Sequence, residues 1–165
     1  MPLSRRIEQE MGRLTELGSC GFAIAFHVRF TTASFQLQTY PTAWLEVYSK
    51  EGLVMQDPIV AFGFSDEIGV RRWSDLPGAD GSPVLGRAAE HGLNHGAAVV
   101  VATGDSRTVA GIARSDREYS DEELAELEEI IARLHEITSE DGEMSDAARD
   151  ELRRISIEQN HPHSG

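Results

Sequence analysis

The residues best suited to chemistry in this sequence are two tryptophans, two tyrosines and one aspartate between positions 40 and 73. Tyr40, Trp44 and Tyr48 fall within nine positions, although the whole chain has only five Trp and Tyr residues. Asp57 follows thirteen residues after Trp44, and Trp73 follows sixteen residues after Asp57. Trp and Tyr are large apolar side chains with one polar group each. Around one carboxylate they can line an apolar pocket with a few directional hydrogen-bonding groups, which is typical of a small-molecule site.

Three of these residues also have a purely structural interpretation. Asp57 precedes Pro58, and this pair is typical of a helix start, with Asp as the N-cap and Pro at the first helical position. The cap and ligand roles of Asp57 do not exclude each other. Trp44 and Tyr48 lie one helical turn apart on the same face, so ordinary core packing also explains them.

Length, charge and cysteine content narrow the class of protein. A chain of 165 residues is long enough for one domain with a real core. A net charge of −13 disfavours nucleic-acid binding, because that affinity comes mostly from Lys and Arg contacts with phosphates. No stretch approaches the ~20 apolar residues of a membrane span, and the N-terminus does not read as a secretory signal. The single cysteine, Cys20, cannot form an internal disulfide, which favours a reducing cytoplasm.

Hydrophobic periodicity predicts helices and hairpins in alternation. The predicted helices are residues 4–17, 41–52, 58–64, 83–93, a long helix between Ser120 and Gly142, and 144–157. The predicted strands are residues 22–30, 35–38, 97–102 and 108–113. Ser120 and Glu123 form a capping box for the long helix, whereas residues 69–82 show no regular periodicity. Hairpins separated by helices predict an α+β fold in which an antiparallel sheet carries helices on its faces.

Four motifs closely resemble the autoinducer-binding domain of LuxR-type quorum-sensing regulators. They are Tyr40-Pro41-x-x-Trp44-x-x-x-Tyr48, Asp57-Pro58-x-Val60, Trp73-Ser74-Asp75-Leu76 and Gly92-x-x-x-Gly96. Each motif alone is a weak signal, but all four in order at matching spacing are a strong one. The resemblance covers residues 4–138 and implies an α/β/α sandwich with a central antiparallel sheet. It also implies an N-acyl-homoserine lactone between the sheet and the helices around Trp44.

The resemblance implies a role for each aromatic residue and for the aspartate, and it implies no cofactor or metal. Trp44 would donate its indole N–H to the lactone carbonyl, and Asp57 would accept the amide N–H of the ligand. Tyr40 would donate to the acyl carbonyl. Tyr48 would pack along the ligand or hydrogen-bond to its carbonyl, and Trp73 would cover the lactone ring.

Gly96, Leu53 and Val54 lead to predictions about the shape of the pocket. By the resemblance Gly96 would leave space near the head group, although a turn at the entry of a strand also explains it. Leu53 and Val54 stand where relatives often carry an aromatic residue. This predicts a roomier acyl pocket and a preference for medium-to-long or bulky acyl groups. Residues 109–113 offer no hydroxyl where many relatives have Ser or Thr.

The C-terminal residues depart most from the family, whose members normally continue into a helix-turn-helix domain. Residues 144–156 faintly resemble the first helix of that domain, and an interface or capping helix is the alternative. The 27 residues from Ser139 onward are fewer than the ~50 of a small domain. We therefore expect an autoinducer-binding domain at 1–138 and a short helix with a polar tail at 139–165. We expect no direct DNA binding by these 165 residues and no membrane association.

The resemblance implies a cytoplasmic, non-enzymatic sensor that binds an N-acyl-homoserine lactone and modulates transcription through partner proteins or by sequestering the ligand. Its expected partner is a second copy or a full-length LuxR-type regulator. A sensor of another small apolar molecule and a lactone-processing enzyme are the alternatives. Against the enzyme, His27, His91, His95 and Asp57 lack metal-ligand spacing, and no Gly-x-Ser-x-Gly nucleophile motif occurs.

Two apolar stripes are candidate surfaces for dimerisation, with core packing as the alternative. They are Ile7, Met11 and Leu14 in the first helix and Leu127, Ile131 and Leu134 in the long helix.

Overall fold

A five-stranded antiparallel sheet lies between two layers of helices in the computed structural model, which describes residues 3–29, 32–33, 35–139, 148 and 150–154. The helices are α1 (Leu3–Leu17), α2 (Thr42–Lys50), α3 (Pro58–Phe64), α4 (Pro83–Glu90) and α5 (Asp121–Ile137). The strands are β1 (Phe22–Val28), β2 (Phe35–Gln38), β3 (Gly69–Arg72), β4 (His95–Thr103) and β5 (Ser106–Arg114). Their order across the sheet is β2-β1-β5-β4-β3, so β2 and β3 form its edges. The predicted α+β sandwich is confirmed.

Helices α1 and α5 cover one face of the sheet, and their apolar stripes form its core. The six stripe residues are almost completely buried: Ile7, Met11, Leu14, Leu127, Ile131 and Leu134. Fully burying such a side chain contributes about 1.5–3 kcal/mol to folding. The guanidinium of Arg133 on α5 also hydrogen-bonds to the Glu10 carboxylate on α1, with Nε 2.7 Å from Oε1. Both stripes therefore belong to the core, and neither is free to form a dimer surface.

The predicted capping box starts α5 and fixes its position. The Ser120 hydroxyl accepts from the backbone N–H of Glu123 at 3.1 Å, and the Glu123 carboxylate accepts from the backbone N–H of Ser120 at 2.9 Å. Just before it, the buried hydroxyl of Tyr119 donates to the carbonyl of Leu17 at 2.7 Å. The N-terminus of α5 is thereby tied to the C-terminus of α1.

Strand β3 is the main element that the sequence did not predict. Its four residues pair with Ala97 to Val100 of β4. A Gly followed by Val70, Arg71 and Arg72 lacks the alternation of a half-buried strand, and all four residues are half-buried. The backbone of β4, and not the side-chain pattern of β3, therefore determines this edge strand. Strand β3 leads directly into Trp73, which begins a short 3₁₀ turn.

The predicted C-terminal helix falls partly outside the described residues. Ala148 and residues 150–154 are helical, and the rest of residues 144–157 is not described. Ala148 and Leu152 are fully buried in the same core as α1 and α5. The Arg153 guanidinium lies 4.9 Å from the centre of the Phe35 ring. The described part of the segment therefore packs on the domain, as a capping helix would. None of the described helices is long and apolar enough to cross a membrane.

A pair of buried histidines lies on the α5 side of the sheet. The rings of His27 and His135 stack with centroids 4.3 Å apart, and each residue is 3% exposed. His27 occupies an irregularity of β1, with φ 51°. The Thr108 hydroxyl accepts from the backbone N–H of His27 and lies 2.6 Å from Nδ1 of His135, while Nε2 of His135 lies 2.9 Å from the Thr103 hydroxyl. These contacts satisfy both ring nitrogens of a neutral His135, because a threonine hydroxyl can either donate or accept.

Candidate functional site

A cavity of about 350 Å³ separates the sheet from the layer formed by α2, α3 and α4. Its lining residues are Ala23, Ile24, Ala25, Gln36, Gln38, Tyr40, Trp44, Leu45, Tyr48, Val54, Asp57, Ile59, Val60, Trp73, Val84, Leu85, Ala88, Val109 and Gly111. Five of the six predicted site residues line it, and Gly96 does not. The volume and the mainly apolar lining fit a small organic ligand.

The floor of the cavity is a run of small residues on the two central strands. Ala23 on β1 pairs with Gly111 on β5, and Ala25 pairs with Val109. Paired residues present their side chains on the same face of a sheet, so this floor carries little more than methyl groups beside Val109. A Cβ built on Gly111 would lie 3.0 Å from the Tyr40 hydroxyl. The missing side chain at Gly111 therefore leaves room for the phenol of Tyr40.

Helix α2 supplies the aromatic wall. Trp44 and Tyr48 are one turn apart, and their rings meet edge-on with centroids 5.8 Å apart. His91, just after α4, packs on Trp44 at a centroid distance of 5.5 Å. The sequence analysis considered His91 only as a metal ligand and rejected that role, and nothing in its spacing indicates that α4 and α2 lie side by side. Arg87 on α4 forms a hydrogen-bonded ion pair with Glu51, the residue that follows α2.

Asp57 caps a helix and also lines the cavity, so the two interpretations that the sequence left open remain compatible. Its Oδ1 accepts from the backbone N–H of Ile59 at 2.8 Å, so it caps α3 as predicted. Its Oδ2 accepts from the Tyr48 hydroxyl at 2.8 Å. Burial raises the pKa of Asp57, although the hydrogen bond from Tyr48 opposes the shift. A carboxylate oxygen accepts more than one hydrogen bond, so Asp57 keeps acceptor capacity toward the cavity.

Two buried donors at the cavity have no partner among the described residues. Neither the hydroxyl of Tyr40, which is 9% exposed, nor the indole N–H of Trp44, which is 4% exposed, forms a hydrogen bond there. Burial, followed by the negative charge of Asp57, raises the pKa of Tyr40 well above its ordinary value, so the phenol keeps its proton. Buried donors without acceptors cost free energy and are rare. Each of these two groups can therefore donate a hydrogen bond to an acceptor atom of a bound ligand.

The indole of Trp73 packs directly against the backbone of Gly96. The indole N–H of Trp73 already donates to the carbonyl of Ala97 at 2.9 Å. A Cβ built on Gly96 would overlap the Cδ2 and Cε2 atoms of the Trp73 indole. The space that Gly96 was expected to leave for the head group is thus filled by Trp73. Gly96 lines a smaller cavity of about 160 Å³, which Trp73 also lines.

We expect Gly96→Ala to destabilise the domain and to narrow the large cavity, because the indole of Trp73 must move. Overpacking of this kind costs about 1–3 kcal/mol, measurable as a lower midpoint in urea with tryptophan fluorescence as the readout. The matched control is Gly86→Ala on α4, where a Cβ meets no atom within 4 Å. That helical substitution should stabilise the fold by roughly 0.5–1 kcal/mol. Equal stability of the Gly96→Ala variant and the wild type would contradict the contact.

The structure separates the two residues expected to shape the acyl pocket. Leu53 is buried in the core of the α2–α4 layer and does not line the cavity. Val54 lines the cavity and is 47% exposed. Gln36 and Gln38 also line the cavity, from the edge strand β2. The alternation of β2 placed these glutamines on one face, but only the sheet register shows that this face carries the cavity.

Comparisons with known proteins agree with the geometry. A profile of the autoinducer-binding domain matches residues 12–138. No curated protein sequence matches the chain. Among solved structures, Escherichia coli SdiA superposes with a TM-score of 0.58 and 17% identity, over 99% of this chain and 64% of the SdiA chain. A second SdiA structure contains octanoyl-rac-glycerol, and 97% of this chain covers 63% of that chain at 16% identity and a TM-score of 0.58.

A third solved structure with this fold is CepR2 from Burkholderia cenocepacia, described as an N-acylhomoserine-lactone-dependent LuxR-family transcription factor. It matches with a TM-score of 0.53 and 15% identity over 97% of this chain and 96% of CepR2. This chain spans less than two thirds of the SdiA chain, so the likeness concerns the sandwich that the two share. The family profile covers most of the sequence, and the fold agrees with it. The chain therefore belongs to the autoinducer-binding domain family of LuxR-type regulators, which are ligand-binding regulatory domains and not enzymes.

Proposed function

We propose that this chain binds an N-acyl-homoserine lactone in the cavity between the sheet and helices α2–α4. The observation that carries the proposal is the pair of unpartnered buried donors, Tyr40 and Trp44, beside the half-used acceptor Asp57. An N-acyl-homoserine lactone offers two carbonyl acceptors and one amide donor. The site therefore offers a donor for each of the two carbonyls of this ligand and an acceptor for its amide N–H.

The polar groups of the ligand would be assigned as in the family pattern. Trp44 donates to the lactone carbonyl, Tyr40 donates to the acyl carbonyl, and Asp57 accepts the amide N–H. Tyr48 acts through Asp57, because its hydroxyl holds the carboxylate. Trp73 covers the lactone ring as an apolar surface, since its N–H is used by Ala97. A buried amide needs both its donor and its acceptor satisfied to avoid a cost of a few kcal/mol.

We propose that the regulatory effect passes through a partner protein or through depletion of the ligand. The chain acts in the cytoplasm without a cofactor. It either sequesters the lactone or pairs with a second copy or a full-length LuxR-type regulator. Light scattering of the protein with and without lactone tests the pairing. A monomer in both conditions would leave ligand sequestration or a heterologous partner as the route to transcription.

We expect Trp44→Phe to weaken lactone binding by about 5- to 150-fold, because a buried carbonyl left unpaired costs roughly 1–3 kcal/mol. Calorimetry should compare each lactone with an analogue in which the ring carbonyl is reduced. The wild type should prefer the lactone, and the Trp44→Phe variant should lose that preference.

The control for this prediction is Trp73→Phe, which also removes an indole N–H. That N–H donates to the backbone of Ala97, so this variant should lose stability and keep the preference for the lactone. An unchanged preference in the Trp44→Phe variant would show that Trp44 serves only in packing.

A ligand without a lactone ring is the second candidate. The solved complex of SdiA with octanoyl-rac-glycerol shows that one protein of this fold accepts an acyl ester. The same calorimeter should therefore compare an acyl-homoserine lactone with a monoacylglycerol of equal chain length. Tighter binding of the glycerol ester by the wild type would overturn the lactone assignment and keep the cavity as the site.

A further inference from the structure

No hydrogen bond orients the indole of Trp44 within the part of the chain that the structure describes. The outer torsion of a tryptophan side chain is broad and roughly two-fold, so the ring can turn over and carry its N–H to the opposite edge. The direction of the N–H therefore depends on what packs against the ring. Two of the described rings do so: Tyr48 on the same helix, with centroids 5.8 Å apart, and His91 from just beyond α4, at 5.5 Å.

The way in which α4 ends fixes the backbone of His91. The N–H of Gly92 donates to the carbonyl of Ala89 at 3.0 Å, and the N–H of Leu93 donates to the carbonyl of Ala88 at 3.0 Å. This pair of bonds is the Schellman pattern of helix termination. Gly92 adopts φ 86°, in the left-handed region that favours glycine. The first glycine of the fourth sequence motif therefore determines where the residue before it, His91, is placed.

The side chain of His91 is fixed to the same end of the helix. Its Nδ1 lies 3.0 Å from the carbonyl oxygen of Arg87. Because a carbonyl oxygen only accepts, Nδ1 carries a proton and donates, in the neutral ring and in the charged ring alike. The guanidinium of Arg87 in turn donates to the carboxylate of Glu51 after α2, with Nε 3.3 Å from Oε1. Arg87 and His91 lie one turn apart, so the end of α4 contacts the α2 segment at two points.

From this arrangement we propose that His91 is a positioning residue for the ligand site. It holds the indole of Trp44 in the orientation that presents the N–H to a carbonyl of the ligand. His91 does not line the cavity, so it acts through Trp44 and not by touching the ligand. This inference rests on the proposed function, since it takes Trp44 as the donor to the lactone carbonyl.

The test measures by calorimetry the ratio of the affinities for an acyl-homoserine lactone and for its analogue with a reduced ring carbonyl. His91→Asn keeps an amide donor for the carbonyl of Arg87 and removes the ring. We expect the preference for the lactone to fall about 2- to 12-fold, which corresponds to the loss of one aromatic pair. A loss of packing alone would weaken both ligands equally and leave the ratio unchanged. The control is His95→Asn, a half-buried histidine that lines the smaller cavity and not the large one, and it should leave the ratio unchanged.

A double-mutant cycle shows whether His91 acts through Trp44. In the Trp44→Phe background the indole N–H is already absent, so adding His91→Asn should not change the ratio further. An equal fall of the ratio in both backgrounds would overturn the inference, because His91 would then act without Trp44. A folded His91→Asn variant with the ratio of the wild type would also overturn it.

A measurement on the wild type alone keeps the inference falsifiable if no His91 variant folds. In the proton NMR spectrum of the ligand-free protein, the Trp44 indole N–H resonance is the one that Trp44→Phe removes. We expect a single resonance, because His91 holds one orientation of the ring, and two resonances in exchange would overturn the inference. If the wild type binds the lactone and its reduced analogue equally, or binds neither, the proposed function fails and the inference fails with it. A wild-type preference for the lactone that His91→Asn leaves intact overturns this inference alone.

Discussion

Asp57→Asn should abolish most of the lactone affinity and leave the fold almost unchanged. The asparagine oxygen can still accept from the N–H of Ile59, and Asn caps helices as well as Asp does. The amide nitrogen then replaces Oδ2 beside the Tyr48 hydroxyl, which can accept from it. The N–H of the ligand meets a donor in place of a carboxylate oxygen. A hydrogen bond to a charged group contributes about 1.5–3 kcal/mol, which corresponds to a loss of affinity of about 10- to 150-fold.

The matched control for Asp57→Asn is Asp57→Ala, which removes both the ligand contact and the cap. Loss of the cap costs about 0.5–2 kcal/mol of folding stability, so the Ala variant should unfold at a lower temperature and the Asn variant should not. Calorimetric titration gives the affinities, and thermal unfolding monitored by circular dichroism gives the stabilities. An affinity of the Asn variant within twofold of the wild type would show that Asp57 is a helix cap only.

Acidification from pH 7 to pH 4 should destabilise the domain through His135 by about 3 kcal/mol. Burial, and secondarily the neighbouring His27, lowers the pKa of His135 from 6.5 to about 4. Between these two values the unfolded chain binds more protons than the folded chain. Stability therefore falls as the pH drops through this window, and the full contribution is present above pH 6.5.

The variant His135→Gln separates this effect from other acid-sensitive groups. Gln retains a hydrogen-bonding side chain but does not titrate, so its stability should depend less steeply on pH between 6.5 and 4. The Arg-paired carboxylates of Asp116 and Glu123 have pKa values lowered to about 2, so their contributions are lost at lower pH. The measurement is the free energy of unfolding in urea at several pH values for both proteins. Parallel pH profiles would show that the stacked histidines do not control acid stability.

Local pattern was sufficient to predict the elements with strong periodicity. The apolar spacing of α1 and α5, the capping box at Ser120 and the Asp57-Pro58 helix start each depend on neighbours within a few residues. Such signals are legible in one sequence, because the backbone groups that they satisfy are adjacent in the chain. The start of the β3 strand at Gly69 was missed for the converse reason, since its partner β4 lies about thirty residues away.

In the candidate site, too, the sequence predicts some features and only the fold determines the others. Residue type and spacing predicted that Tyr40, Trp44, Tyr48 and Asp57 line one apolar pocket, and all four line one cavity. Their partners depend on how distant segments pack. Examples are the Tyr48–Asp57 hydrogen bond, the His91 contact with Trp44 and the place of Gln36 in the cavity wall. None of these follows from periodicity, because each joins elements whose relative position is set by the sheet register and by helix packing.

What the sequence by itself determined is the class of fold, the family resemblance and the set of polar groups able to bind a ligand. The tertiary structure alone decided which of those groups are still available. The N–H of Trp73 donates to the carbonyl of Ala97, and its indole fills the space above Gly96. The donors of Tyr40 and Trp44 have no partner among the residues that the structure describes. The physical reason is that a side chain's donors and acceptors are fixed by its covalent structure, whereas their satisfaction depends on atoms that only the folded chain brings within hydrogen-bonding distance.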